Sequence, residues 1–154
     1  MILGNFDFME KIDKRLRLGV VGYCSPTKFD ETKALSYIKE AFDEVGYSFK
    51  DYQITIVSGL TNDGILRLAY EEARGRGWKT AGVACEKAYE FRDNWFPVDE
   101  DPVIIGKNWG DESEVFLNSI DALVRIGGGI QSLDEATRMK NRNKPVYEFE
   151  LEKL

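Results

Sequence analysis

The chain has 154 residues, 43% of them apolar and 31% charged, with a formal net charge of −6 and no histidine. Length and balance fit one globular domain with a full-sized core. The acidic balance, without a basic run, argues against nucleic acid as a partner, and the missing histidine excludes Ser-His-Asp and Cys-His nucleophiles and histidine-based metal sites.

The first residues, Met1 to Leu16, mix Asp7, Glu10, Lys11, Asp13, Lys14 and Arg15 among apolar ones, which is no signal-peptide pattern. They are assigned as an N-terminal extension, 1–16. Its Phe6, Phe8, Met9, Ile12 and Leu16 are expected to pack on a partner subunit. Residues 17–154 form the single domain. Leu18 to Cys24 is a short apolar run of the kind found in buried parallel strands. Asp30 to Val45 follows as an amphipathic helix with Ala34, Leu35, Ile38, Ala41, Phe42 and Val45 on one face and Gly46 placed to end it. Gln53 to Val57 reads as a strand. Asp63 to Arg74 reads as a helix with Ile65, Leu68, Ala69 and Ala73 inward. Thr80 to Cys85 is a third strand.

Glu86 to Pro102 is the one long irregular stretch, and such loops serve as lids, binding loops or contact surfaces. Val103 to Ile105 is a fourth strand. Asp111 to Ile120 is a helix, with Asp111 and Glu114 spaced as a capping box. Ala122 to Ile126, Leu133 to Asn141 and Pro145 to Phe149 complete the series as strand, helix and strand. No apolar run approaches the roughly 18–20 residues of a membrane span. Cys24 and Cys85 lack metal-type spacing and fit a reducing, cytoplasmic setting.

Alternating strands and helices imply right-handed crossovers and an α/β, Rossmann-like, doubly wound and mostly parallel sheet with helices on both faces. Ligands of such sheets bind beyond the carboxyl ends of the strands. That edge collects Ser25-Pro26-Thr27, Ser58 to Gly64, Glu86 to Pro102 and the glycine triplet Gly127-Gly128-Gly129. The triplet leaves a strand and enters a helix. Glycines allow positive φ and close approach, and the free N–H groups of a helix start favour an anion. Phosphate is the obvious guest.

Ser58 to Gly64 has two readings: an ordinary strand–helix loop capped by Asp63, or the second half of a nucleotide site. Two such turns at one sheet edge favour the second. Ser132 and Glu135 also have two readings. They have the spacing of a capping box, or Glu135 faces the ligand as an acid, a base or a stabiliser of positive charge. Cys24 reads as a small buried hydrophobe. Lys87 and Arg92 read as solvated charges, in a loop that overhangs the site.

Gly127 to Glu135 resembles the Pro-Gly-Gly-x-Gly-Thr-x-x-Glu motif of the SLOG superfamily. These lysine decarboxylase-like Rossmann proteins include the lonely-guy phosphoribohydrolases and the molybdenum cofactor carrier proteins. Gly128 and Gly129 stand at the paired glycines, Ser132 at the Thr and Glu135 at the Glu. Ser58 to Gly64 resembles the family's first glycine-rich turn, Leu18 to Ser25 its opening strand and Lys144 to Tyr147 its closing one. Gly127 replaces the motif's Pro, and Gln131 its third Gly. The hydrolases' Met-His-x-Arg-Lys element, whose Arg works with the motif Glu, has only a positional echo in Arg92.

The resemblance implies a nucleotide or nucleotide-derived ligand. Its expected binding residues are Ser25, Gly59, Thr61, Asn62, Asp63, Gly64, Gly127, Gly128, Gly129, Ile130, Gln131 and Ser132. Glu135 and Arg92 are the candidate catalytic pair of an alternative N-glycosidase that would release free base from a nucleoside monophosphate. Retention of the glycine turns without the His-x-Arg-Lys element favours binding over hydrolysis. No resident cofactor, metal or membrane partner is expected, and a homodimer or higher symmetric oligomer is.

Overall fold

The computed structural model describes residues 14–154. The expected packing of Phe6, Phe8, Met9 and Ile12 lies outside the described residues. Among the described residues six strands form one sheet: β1 (Arg15–Gly22), β2 (Gln53–Ser58), β3 (Lys79–Ala84), β4 (Val103–Ile104), β5 (Ala122–Ile126) and β6 (Val146–Phe149). Their order is β4-β3-β2-β1-β5-β6 and every pair is parallel. The α/β Rossmann-like class expected from sequence is the one observed.

Leu18 stands opposite Ile56 on one side and Ala122 on the other, and Val20 opposite Val124. Period-two alternation therefore gives the sheet two apolar faces. Leu18, Val20, Ile54, Ile56, Val124 and Ile126 share one core, while Val57, Ala81, Val83 and Leu123 share the other. Strand β1 starts at Arg15, so buried Leu16 belongs to the sheet. It ends at Gly22, opposite the last residue of β5, and not at Cys24 as expected. The next carbonyl, of Tyr23, turns away to accept the N–H of Ile65 at 2.9 Å.

Among the described residues four α-helices cover the faces: α1 (Glu31–Ser48), α2 (Gly64–Gly75), α3 (Ser113–Asn118) and α4 (Ile130–Asn141). Asp30 caps α1 by accepting the N–H of Lys33, and Ala34, Ile38, Ala41, Phe42 and Val45 point into the core. Gly46 does not end α1. It packs beside Trp78 and the helix runs on to Ser48. Helix α3 approaches β1 closely because Gly19 has no side chain: a Cβ there would stand 2.9 Å from Phe116 Cζ of the helix and 2.6 Å from Cδ1 of Ile120 just after it.

Helix α3 is shorter than expected, and its expected capping box does not form. The Asp111 carboxylate instead accepts the N–H groups of Lys107 and Asn108, while Glu114 pairs with Arg138 and Arg142. Within the stretch read as irregular, Glu86–Asn94 forms a 3-10 helix kinked at Phe91. That segment lies over the β2–α2 loop. The Asn62 N–H donates to Asn94 O at 2.8 Å and the Phe96 N–H to Leu60 O at 2.7 Å.

Candidate functional site

The strand order reverses between β1 and β5, and a crevice opens there at the carboxyl edge of the sheet. A cavity of about 620 Å³ occupies it, within the range of small-molecule sites. Its wall takes residues from the ends of β1, β2 and β3, from the loop after β1, from the 3-10 segment and from the starts of α3 and α4. Both glycine turns reach it. Ser25, Gly59, Thr61 and Asp63 line one part, and Gly129, Gln131, Ser132 and Glu135 another.

The β5–α4 turn is built as the glycines suggest. Gly127 and Gly128 have φ of 58° and 97°, in the region that disfavours a side chain. A Cβ on Gly128 would stand 2.6 Å from Ser132 Oγ. The Gly127 carbonyl accepts from Arg125 Nη1 at 2.9 Å, and that buried guanidinium also pairs with Glu148 and Glu150. Gly129 is the N-cap of α4 and offers no side chain. No described residue accepts the N–H groups of Ile130, Gln131 or Ser132. They are the orphan donors of a helix start. The helix begins three residues earlier than expected, which makes Ser132 its third residue and not its cap.

The β2–α2 turn is different. Gly64 has φ of 59° and sits against the Tyr23 carbonyl. The other positive φ falls on Leu60, at 74°, and not on Gly59. Leu60 holds it because Tyr70 accepts its N–H at 3.1 Å, the Tyr70 hydroxyl donating in turn to Ala81 O. Asp63 occupies the cap position of α2 without capping it. Its carboxylate accepts the N–H and hydroxyl of Ser25, at 2.7 and 2.9 Å. One end of this turn therefore already holds a negative charge. Burial pushes the Cys24 thiol up to about 12, with Asp63 adding to it, so Cys24 stays a thiol.

At the floor of the cavity stand two glutamates. Glu135 is 4% exposed and accepts from Ser113 Oγ at 3.0 Å. Of the two readings of Ser132 and Glu135, the capping box does not form, because Glu135 bonds across to α3. Burial raises the Glu135 carboxyl to about 7, and the neighbouring Glu112 charge adds to the rise. Glu112 is 5% exposed. Its Oε1 accepts from the Gly110 N–H at 2.9 Å and from Gln131 Nε2 at 3.0 Å. Its Oε2 is buried and has no partner among the described residues.

Four expected positions, Asn62, Gly64, Gly127 and Gly128, shape the turns without forming cavity wall, and the Ile130 side chain is 88% exposed. Arg92, unlike Glu135, does not line the cavity. It is exposed, with its guanidinium 5.8 Å from the ring centres of both Tyr89 and Trp95. Glu112, Trp109, Phe91 and Asn94 line the cavity and were not among the expected site residues. The carboxyl-edge rule, applied also to the loop after the two-residue strand β4, points to Trp109 and Glu112. Among the described residues no group of three or more acidic or Cys side chains is gathered for a metal, and no helix is long and apolar enough to cross a membrane.

No protein-family model matches the sequence, and no curated protein matches it. Solved structures do. The molybdenum cofactor binding protein of the phototrophic bacterium Rippkaea orientalis is 17% identical, with TM-score 0.66 over 88% of this chain and 77% of that one. The molybdenum cofactor carrier protein of Chlamydomonas reinhardtii is 21% identical, with TM-score 0.65 over 88% and 76%. The structural-genomics protein TM1055 is 22% identical, with TM-score 0.62 over 85% and 72%. The chain therefore has the fold of the molybdenum cofactor carrier proteins, as its resemblance to the SLOG superfamily implied.

Proposed function

We propose that the protein binds a nucleotide or nucleotide-derived small molecule, with a phosphate on the β5–α4 turn and the organic part in the cavity beneath the 3-10 segment. The observation that carries this is the set of orphan N–H groups of Ile130, Gln131 and Ser132, at a helix start that opens on the cavity. The β2–α2 turn contributes wall and shape; Asp63 keeps a second phosphate away from it. A monoester suits this better than a polyphosphate. The similar structures include proteins named for carrying or binding the molybdenum cofactor, and a carrier role would use the same site. Calorimetric titration with nucleoside monophosphates tests the proposal. Saturable binding at one site per chain is expected, and no heat with any of them overturns it.

A second reading is N-glycosidase cleavage of a nucleoside monophosphate. Glu135 favours it: a buried carboxyl in the cavity wall, raised to about 7, is poised as a general acid at neutral pH. Against it, the charged group beside Glu135 in the cavity wall is Glu112, and no arginine lines that wall. Free base released during incubation, and lost in Glu135→Gln, would establish turnover.

A further inference from the structure

We propose that the buried pair Glu112–Glu135 couples anion binding at the α4 start to a proton: the turn takes an anion while the pair holds one proton, and repels it once both carboxylates are charged. The inference rests on the phosphate reading above and adds the regulation of that site.

Three observations carry it. The first is placement. Glu135 and Glu112 are 4% and 5% exposed and stand in one cavity wall, on α4 and at the N-cap position of α3. Gln131 ties them to the turn. Its backbone N–H is one of the three orphan donors of the α4 start, and its Nε2 donates to Glu112 Oε1 at 3.0 Å. Glu135 follows it by four residues, about 6 Å along the helix axis. An anion at the turn therefore meets the charge of either glutamate at short range, across a wall that holds no Lys or Arg.

The second is an unmet acceptor. Glu112 Oε1 has two donors, while Oε2 is buried with none among the described residues. Two buried carboxylates with so few donors are costly to charge together, and one proton in the pair relieves that cost. The groups packed around them supply little compensation. Arg138 favours the charged form of Glu135, least of the groups that act on it, and pairs with Glu114 and Asp134. Asp63 across the cavity is engaged by Ser25, and Asp111 beside Glu112 by the N–H groups of Lys107 and Asn108.

The third is the pH window. Burial raises the Glu135 carboxyl to about 7, with the Ser113 hydroxyl opposing and the Glu112 charge adding to the rise. The chain has no histidine, the side chain whose ordinary titration falls there. Burial moves the thiols of Cys24 and Cys85 further above it. A proton exchanged at neutral pH is thus a property of this pair, beside the one helix start that offers free donors to the cavity.

The test is NMR on the whole chain with sulfate as the probe, at constant ionic strength, because sulfate stays a dianion throughout the range. Carboxyl signals of the sulfate-free protein should show Glu135 titrating at about 7, and Glu112→Gln should lower that midpoint. Sulfate titrations followed at the Ile130, Gln131 and Ser132 amides should give an affinity at least about fivefold weaker at pH 8 than at pH 6. Glu135→Gln stays neutral and keeps an acceptor for Ser113. Its sulfate affinity should hold within about twofold over the same range, and its amide spectrum reports that it is folded. Equal sulfate affinity of the wild type at the two pH values overturns the inference and leaves the phosphate site standing. So does a loss in Glu135→Gln equal to that of the wild type. Sulfate that moves none of the three amides at either pH overturns the site and the inference together.

Discussion

Glu135 has an environment that punishes its charge. It is 4% exposed, has one hydroxyl donor in Ser113, and faces a second carboxylate in Glu112. Its folded-state carboxyl titrates near 7, above the ordinary 4.5, so between those values the folded chain holds a proton that the unfolded chain has released. Stability therefore falls as pH rises through this window and levels off above it, by up to about 3 kcal/mol for this group. Glu135→Gln removes the titration while keeping an acceptor for Ser113. Its melting temperature should exceed the wild type's at pH 8, and the gap should close near pH 4.5. A gap that does not change with pH would show that the charge is well solvated. At the same scale stands Gly128. Its φ of 97° and the 2.6 Å between a Cβ and Ser132 Oγ leave no room for a branched side chain. Gly128→Val should lose at least about 1–2 kcal/mol of stability in urea titrations. It should also lose nucleotide binding at temperatures where it remains folded.

The β5 strand and the helix after it act as one element through Arg125. Its side chain is 3% exposed, yet it carries a charge that Glu148 and the Gly127 carbonyl satisfy. Glu150 is 83% exposed and adds little. Arg125→Met should cost about 2–4 kcal/mol by urea denaturation, because Glu148 and the turn carbonyl lose a buried donor. Nucleotide affinity should drop with it, since the turn loses its anchor.

This element also marks where sequence reasoning stops. The apolar run Ala122–Ile126 and the triplet after it are legible, because strand burial and glycine chemistry are local. The start of α4 is not: the pattern favours Ser132 as cap, and Gly129 takes that place while Glu135 is drawn across to Ser113, 22 positions away. Leu60 is illegible for the same reason. Its left-handed backbone is held by Tyr70, and no local rule gives that conformation to a leucine beside a glycine. The 3-10 segment has a single buried residue, Ala88, so it leaves no periodic trace.

At the scale of the molecule, the alternation of strands and helices foretells the sheet and its carboxyl edge, and hence the crevice beside β1 and β5. It does not foretell the contribution of β4, whose two residues give a weak signal while the following loop brings Trp109 and Glu112 into the wall. The surface carries apolar groups beside the cleft, with Ile130 88% and Leu133 48% exposed on α4. Covering them in a symmetric pair is the expected arrangement. Light scattering should return at least twice the 17.6 kDa of one chain, and a mass of one chain at micromolar concentration would leave those residues uncovered. The central claim is that a phosphate anchors the ligand at the β5–α4 turn. Calorimetric comparison of the tightest-binding nucleoside monophosphate with its own nucleoside tests it most directly. Three charge-assisted N–H contacts predict a loss of at least about tenfold on removing the phosphate, and equal affinity for the two would contradict the claim.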